Sequence, residues 1–322
     1  MTSWKKCISL EEHRKDFGCV LIDAHRIIVC GGKHKGRALK SCTLWDCESN
    51  TSTPLTALPI EMPFCRAVCL KGHVYVLGSH MEFYSLDIHN MEKGWKEQTN
   101  TISPGIGFAL VASKTHVYQI GGFLIPTQVS RYNHSSSAWE QLADLPTGRR
   151  DHQACLIDDK IYVMGGRTTP DDQVLKSVDI YHEDEGWMSG PDLPKGLMNH
   201  AATITNDSNI IVTGGQSSCR SSPLSTTYLL DTKDKGAAAA TTTWTALGHN
   251  LPQSLSGHAS VSTQFKVYIL GGVHDTEDKV HSDSVYSIDS SLLNRSTFGA
   301  MRMSRSEQVD DDSAPVKFFL CC

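Results

Sequence analysis

The 322-residue sequence has no apolar stretch near the ~18 residues that a membrane-spanning helix requires. Its first residues, MTSWKKCISLEEHRKDFG, contain no apolar h-region, so nothing there reads as a secretory signal. It also lacks a basic block: 30 Lys and Arg against 35 Asp and Glu leave a net charge of -5. That balance argues against nucleic acid or an anionic membrane as the main partner. GxSxG, HExxH and a phosphate-cradling glycine loop ahead of a helix are all missing, which removes the common hydrolase, zinc-protease and nucleotide signatures. Eleven cysteines include no CxxC pair, and seven fall in the first 70 residues. Neither a zinc site nor a disulfide framework fits that spacing. They read as small buried hydrophobes in a reducing compartment, so the expected location is the cytoplasm, with the nucleus open.

What the sequence does have is a repeat. Glycine pairs recur at Gly31-Gly32, Gly121-Gly122, Gly165-Gly166, Gly214-Gly215 and Gly271-Gly272, with a half-kept pair at Gly78-Ser79. Each closes a short apolar run: RIIVCGG, HVYVLGS, HVYQIGG, KIYVMGG, NIIVTGG and KVYILGG. An aromatic residue follows downstream in every unit, and a tryptophan follows that at Trp95, Trp139, Trp187 and Trp244. In the clearest unit HQACLI, KIYVMGG, SVDIYH and GWMSGPD read as four short strands between turn residues. Six units of four strands predict an all-β propeller, with the second strand expected nearest the axis and the Tyr and Trp covering the blade faces.

The glycine pairs, the later Tyr and Trp, and the Arg149-Arg150-Asp151-His152-Gln153-Ala154 lead-in resemble the kelch repeat. The resemblance runs from about Trp4 to Phe298 and implies a six-bladed kelch β-propeller, with a truncated seventh blade as the alternative. The domain expected is 1–305, followed by a tail or partial extra strand at 306–322. Trp4 lies 27 residues before Gly31, close to the 26 between Trp95 and Gly121, so the amino terminus is expected to supply a fourth strand to another blade. A competing closing strand lies at 296–300, and VKFFLCC resembles one further glycine-pair run. The low-complexity TKDKGAAAATTTW segment reads as an outer loop, and Asp310-Asp311-Asp312 as solvated tail.

His152, His200 and His258 occupy one column of the repeat, 13 or 14 residues before their glycine pairs, with Gly18, Cys65 and Phe108 at the equivalent places. One histidine per blade spreads the imidazoles around a ring instead of converging them on a metal, so the column reads as structural. No metal, cofactor or catalytic residue is expected.

The expected function is a non-catalytic protein-interaction module, such as a substrate-recognition or scaffold protein. The family implies this through its receptors of cullin ubiquitin ligases and its stand-alone cytoskeletal binders. The first repeat begins near residue 4, so the resemblance is to members without a BTB domain. The other class considered is a small-molecule enzyme at the channel mouth, similar to a sugar isomerase or mutarotase. Loops on a rigid scaffold concentrate binding residues. The partner is therefore expected on the face formed by the second-to-third and fourth-to-first strand loops. The candidate contacts there are Lys33, Lys35, Arg37, Phe64, Arg149, Arg150, Arg167, Arg220 and His274.

Overall fold

A computed structural model describes residues 3–101, 105–233, 243–275 and 280–293. The expected tail at 306–322, the alternative strand at 296–300, the acidic triplet and most of the Ala/Thr segment lie outside these residues.

The fourth unit shows how each sheet is built. Gln153–Ile157 and Lys160–Met164 are joined by Asp158 and Asp159 at φ 47° and 63°. Two positive φ values give the tight turn whose twist matches paired antiparallel strands. Val178–His182 and Gly186–Ser189 complete a meander in chain order. Six such four-stranded sheets form a closed ring, each first strand lying beside the next and Ala259–Ser262 beside Gly18–Leu21. Six buried apolar clusters fill the wedges between neighbouring blades, one per junction.

The first strand of each sheet is innermost, correcting the expectation for the second; alternation of apolar residues does not reveal which edge faces the axis. The glycine pairs therefore have another cause. At Gly165 and Gly166 the backbone is left-handed, with φ 60° and 86°. A Cβ at Gly165 would stand 2.5 Å from the Leu197 carbonyl oxygen of the next blade, and one at Gly166 2.6 Å from that of Arg150. The gap is closed because Gly166 N–H donates to the Leu197 carbonyl at 2.7 Å. Gly32, Gly122, Gly215 and Gly272 make the same donation to Met62, Arg149, Leu255 and Arg14 at 2.8–3.0 Å. At the second blade, where Ser79 replaces the glycine, Gly105 N–H instead donates to the Ser79 carbonyl at 3.2 Å.

Tryptophans make a second set of junctions at the outer strands. The indole N–H groups of Trp95, Trp139, Trp187 and Trp244 donate to the carbonyls of Thr56, Thr99, Ala143 and Pro191 in the preceding blade, at 2.8–3.1 Å. Trp4 does the same to His249 at 3.0 Å, which places it in the sixth blade. Lys5–Lys6 pairs antiparallel with Val285–Asp289, Lys5 opposite Ser287, so the amino-terminal strand completes the last sheet.

The histidine column packs beneath the glycines. The Cε1 atoms of His152, His200 and His258 come within 3.0, 3.1 and 2.7 Å of where a Cβ would stand on Gly121, Gly165 and Gly214. In the first unit Phe17, not Gly18, takes this place, its ring under Gly271. One extra residue in the hairpin between the first two strands of that blade hides it from spacing alone. The structural role is filling: both ring nitrogens of His152 and His200 are buried without a partner, and His258 bonds Thr213 Oγ1 at 3.0 Å.

Two stability measurements test these roles. Gly165→Ala should cost about 3 kcal/mol in urea unfolding, combining left-handed strain with a backbone collision. Gly186→Ala, at φ 72° with no atom within 4 Å of the added methyl, should cost only about 1 kcal/mol. Burial pushes His200 down to about 4 and His258 to about 3. Their folded values lie below the unfolded one, so the stability they allow is complete above pH ~6.5 and falls as pH drops. Between pH 7 and 4 the His200 share is about 3 kcal/mol. His200→Phe, which copies Phe17, should remove that share of the acid sensitivity; an unchanged pH profile would refute the assignment.

Candidate partner-binding face

At the axial mouth six residues precede the column: Asp16, Phe64, Gly107, Asp151, Asn199 and Gly257. All have positive φ, from 52° to 71°. This bend turns each lead-in loop into its inner strand, which explains the Asp, Asn and Gly found there. Asp16 N–H donates to the Gly257 carbonyl, Gly257 to Asn199, Asn199 to Asp151 and Asp151 to Gly107, at 2.7–3.0 Å. One residue earlier, Lys15, Arg150, Met198 and Ser256 form bridges with Lys33, Arg167, Gln216 and Val273, the residues after the glycine pairs. The rim is thus a set of side-chain pairs on a backbone whose polar groups are already engaged.

These pairs gather part of the expected site around a cavity of about 260 Å³ lined by Lys15, Asp16, Phe64, Ile106, Arg150 and Arg167, among others. Lys33 Nζ sits 3.8 Å over the Phe64 ring, and Arg150 lies 4.6 Å over Phe123. Arg150 also bonds Asp172 at 2.6 Å, while Arg167 bonds Asp151 at 2.7 Å and Asp172 at 3.2 Å. Burial raises the Asp151 carboxyl above its ordinary pKa, with Arg167 pulling the other way. Lys35, Arg37, Arg220 and His274 are exposed, and none of them lines this cavity. Sequence spacing missed Lys15, Ile106, Phe123 and Leu124. The last two are 40% and 60% exposed, and the run FLIP directly after a glycine pair is their signal.

Arg149 belongs to the interior. It is 0% exposed, donates to the Gly165 and Ser177 carbonyls at 3.0 and 3.1 Å, and pairs with Asp179. A docked partner cannot reach it, so its place among the expected contacts is corrected. Arg14, three residues before Phe17, is its counterpart and donates to the Gly31 and Ser41 carbonyls at 3.0 and 3.3 Å. The two arginines hold the second-to-third loops of blades one and four. Among the described residues no group of three or more His, Cys, Asp or Glu could hold a metal ion. Nor is any helix there long and apolar enough to cross a membrane.

Comparison with known proteins agrees with this architecture. Residues 148–194, the fourth blade, match the kelch motif. An F-box/kelch-repeat protein of Arabidopsis thaliana is 26% identical over 44% of this chain and 39% of its own length. Kelch repeat protein C2 of vaccinia virus is 33% identical over 33% of this chain and 22% of its own. Mouse Kelch-like protein 35 is 23% identical over 52% of this chain and 29% of its own. The matches thus span less than two fifths of each relative. Six like sheets, paired glycines that tie each blade to the next, a motif match on the fourth blade and kelch-repeat relatives together make this chain a kelch-repeat β-propeller protein.

Proposed function

We propose that the chain is a non-catalytic protein-interaction module whose partner docks on the glycine-pair face. The observation that supports this most is the rim's chemistry: Phe123 and Leu124 stand exposed beside Arg150, with the Lys33–Phe64 pair nearby. Aromatic and arginine groups on a rigid frame are the residue types that dominate interface energetics. Arg150 and Arg167 are half spent on Asp151 and Asp172, so apolar contact supplies affinity and the Lys33, Lys35, Arg37 and Arg220 charges add steering. The kelch-repeat relatives, one carrying an F-box by name, support a substrate-recognition or scaffold role.

A pull-down from cell extract tests this reading. Phe123→Ala with Leu124→Ala should reduce the captured partner at least tenfold with Tm unchanged, since both side chains project into solvent. If that variant captures normally while charge reversal at Asp158 and Asp159 abolishes capture, the partner uses the opposite face. Arg149→Ala should instead destabilise the fold by about 3–5 kcal/mol, because it strands the Asp179 carboxyl without its buried partner. Urea unfolding of that variant, with no measurable change, would overturn the interior assignment.

A further inference from the structure

Beneath the rim, the axial channel holds a charge that the partner face does not use. The residue following the column member is Gly18, Arg66, Ala109, Gln153, Ala201 and Ala259 in blades one to six, so only the second blade places an ion in this ring. Arg66 lines a cavity of about 170 Å³ together with Gln153, Asn199, His200, His258 and Ser260. Its Nη1 donates to the Cys65 carbonyl at 3.0 Å, and its Nε is buried without a hydrogen-bond partner. The arginine ion pairs among the described residues belong to Arg14, Arg26, Arg131, Arg149, Arg150 and Arg167. Arg66 has none there.

The other ionisable groups that line this cavity do not answer that charge. Burial holds His200 and His258 neutral at pH 7 and pushes the Cys19 thiol up to about 12. Asp16 turns its carboxylate toward Gly257, where Oδ1 lies 3.0 Å from the place a Cβ would take, and pairs with Lys15 at 3.8 Å. The Arg66 side chain is half-buried with its Nε sealed from solvent, and a cation partly withdrawn from water favours an anionic partner. Below Arg66 the channel continues, through the shared residues Cys19, Leu110, Ala154, Ala202 and Ser260, into a bore of about 320 Å³. That bore is lined by Val20, Val68, Val111, Leu156, Ile204 and Val261, together with Thr203, Ser260 and Ser262.

We propose that this channel is a binding site for a carboxylate on a small apolar body, with Arg66 holding the carboxylate and the bore holding the body. The planar guanidinium suits two carboxylate oxygens at once, and the Gln153 and Asn199 amides line the same cavity as further donors. The carboxylate has two sources: a free small acid, or an acidic side chain that a polypeptide inserts through the mouth. Neither source depends on the partner face proposed above.

Calorimetric titration of the full chain at low salt with hexanoate, hexanamide and a capped Gly-Glu-Gly peptide tests the site. Hexanoate should bind at least tenfold tighter than hexanamide, and Arg66→Met should weaken it at least tenfold. Arg66→Lys, which keeps the charge but not the fork, should fall between and carries the comparison if the Met variant does not fold. Binding of the capped peptide without hexanoate would support the same chemistry with a polypeptide as its source. Equal binding of hexanoate and hexanamide, hexanoate binding that survives in Arg66→Met, or no binding of either carboxylate would overturn the proposal.

Discussion

Everything in this ring depends on backbone amides that reach across blade junctions. At five of the six junctions the second residue of a glycine pair donates its N–H forward to the next blade. At four, the residue before the column donates backward to the previous one. Both donations require left-handed backbone and close approach, which is why glycine, aspartate and asparagine recur at those places. The apolar clusters between blades supply the larger free energy, since burial scales with apolar area removed from water. Burial alone, however, is indifferent to register, and the directed amides select one.

The second blade is where this pattern loosens. Ser79 stands in for a glycine, Phe64 occupies the bend, and Arg66 follows a cysteine instead of a histidine. The same blade contributes the ring under Lys33 and the unpaired guanidinium of the channel. Departures from a repeat's structural rules are the expected location of function, because repetition elsewhere already secures the fold.

Much of this architecture was legible. Six glycine pairs at a near-constant interval, one of them half-kept, define the blades, and the spacing of Trp4 from Gly31 places the amino-terminal strand in a blade other than the first. Three things were not. Whether the first or second strand is innermost leaves no trace in apolar alternation, because the faces of every blade are covered by neighbours. Phe17 and Arg14 are displaced by one residue from the expected phase, so identity of residue type could not reveal them. Arg149 and Arg150 are adjacent in sequence, yet one is sealed under a loop and the other stacks on Phe123. The face could be chosen from loop composition, but the apolar part of the rim depends on which side chains the bridges at Arg150–Arg167 and Lys15–Lys33 turn outward.

The pairing of Lys5 with Ser287 has a temporal meaning as well. Lys5 and Lys6 must wait for their partner strand, which a ribosome adding about 5–20 residues per second delivers roughly 15–60 s later. During that interval the first five blades can assemble in order, each capping its predecessor, while the amino-terminal segment stays unpaired. Trp4 and its neighbours are therefore the segment most in need of protection during synthesis, and the last to become part of the folded protein.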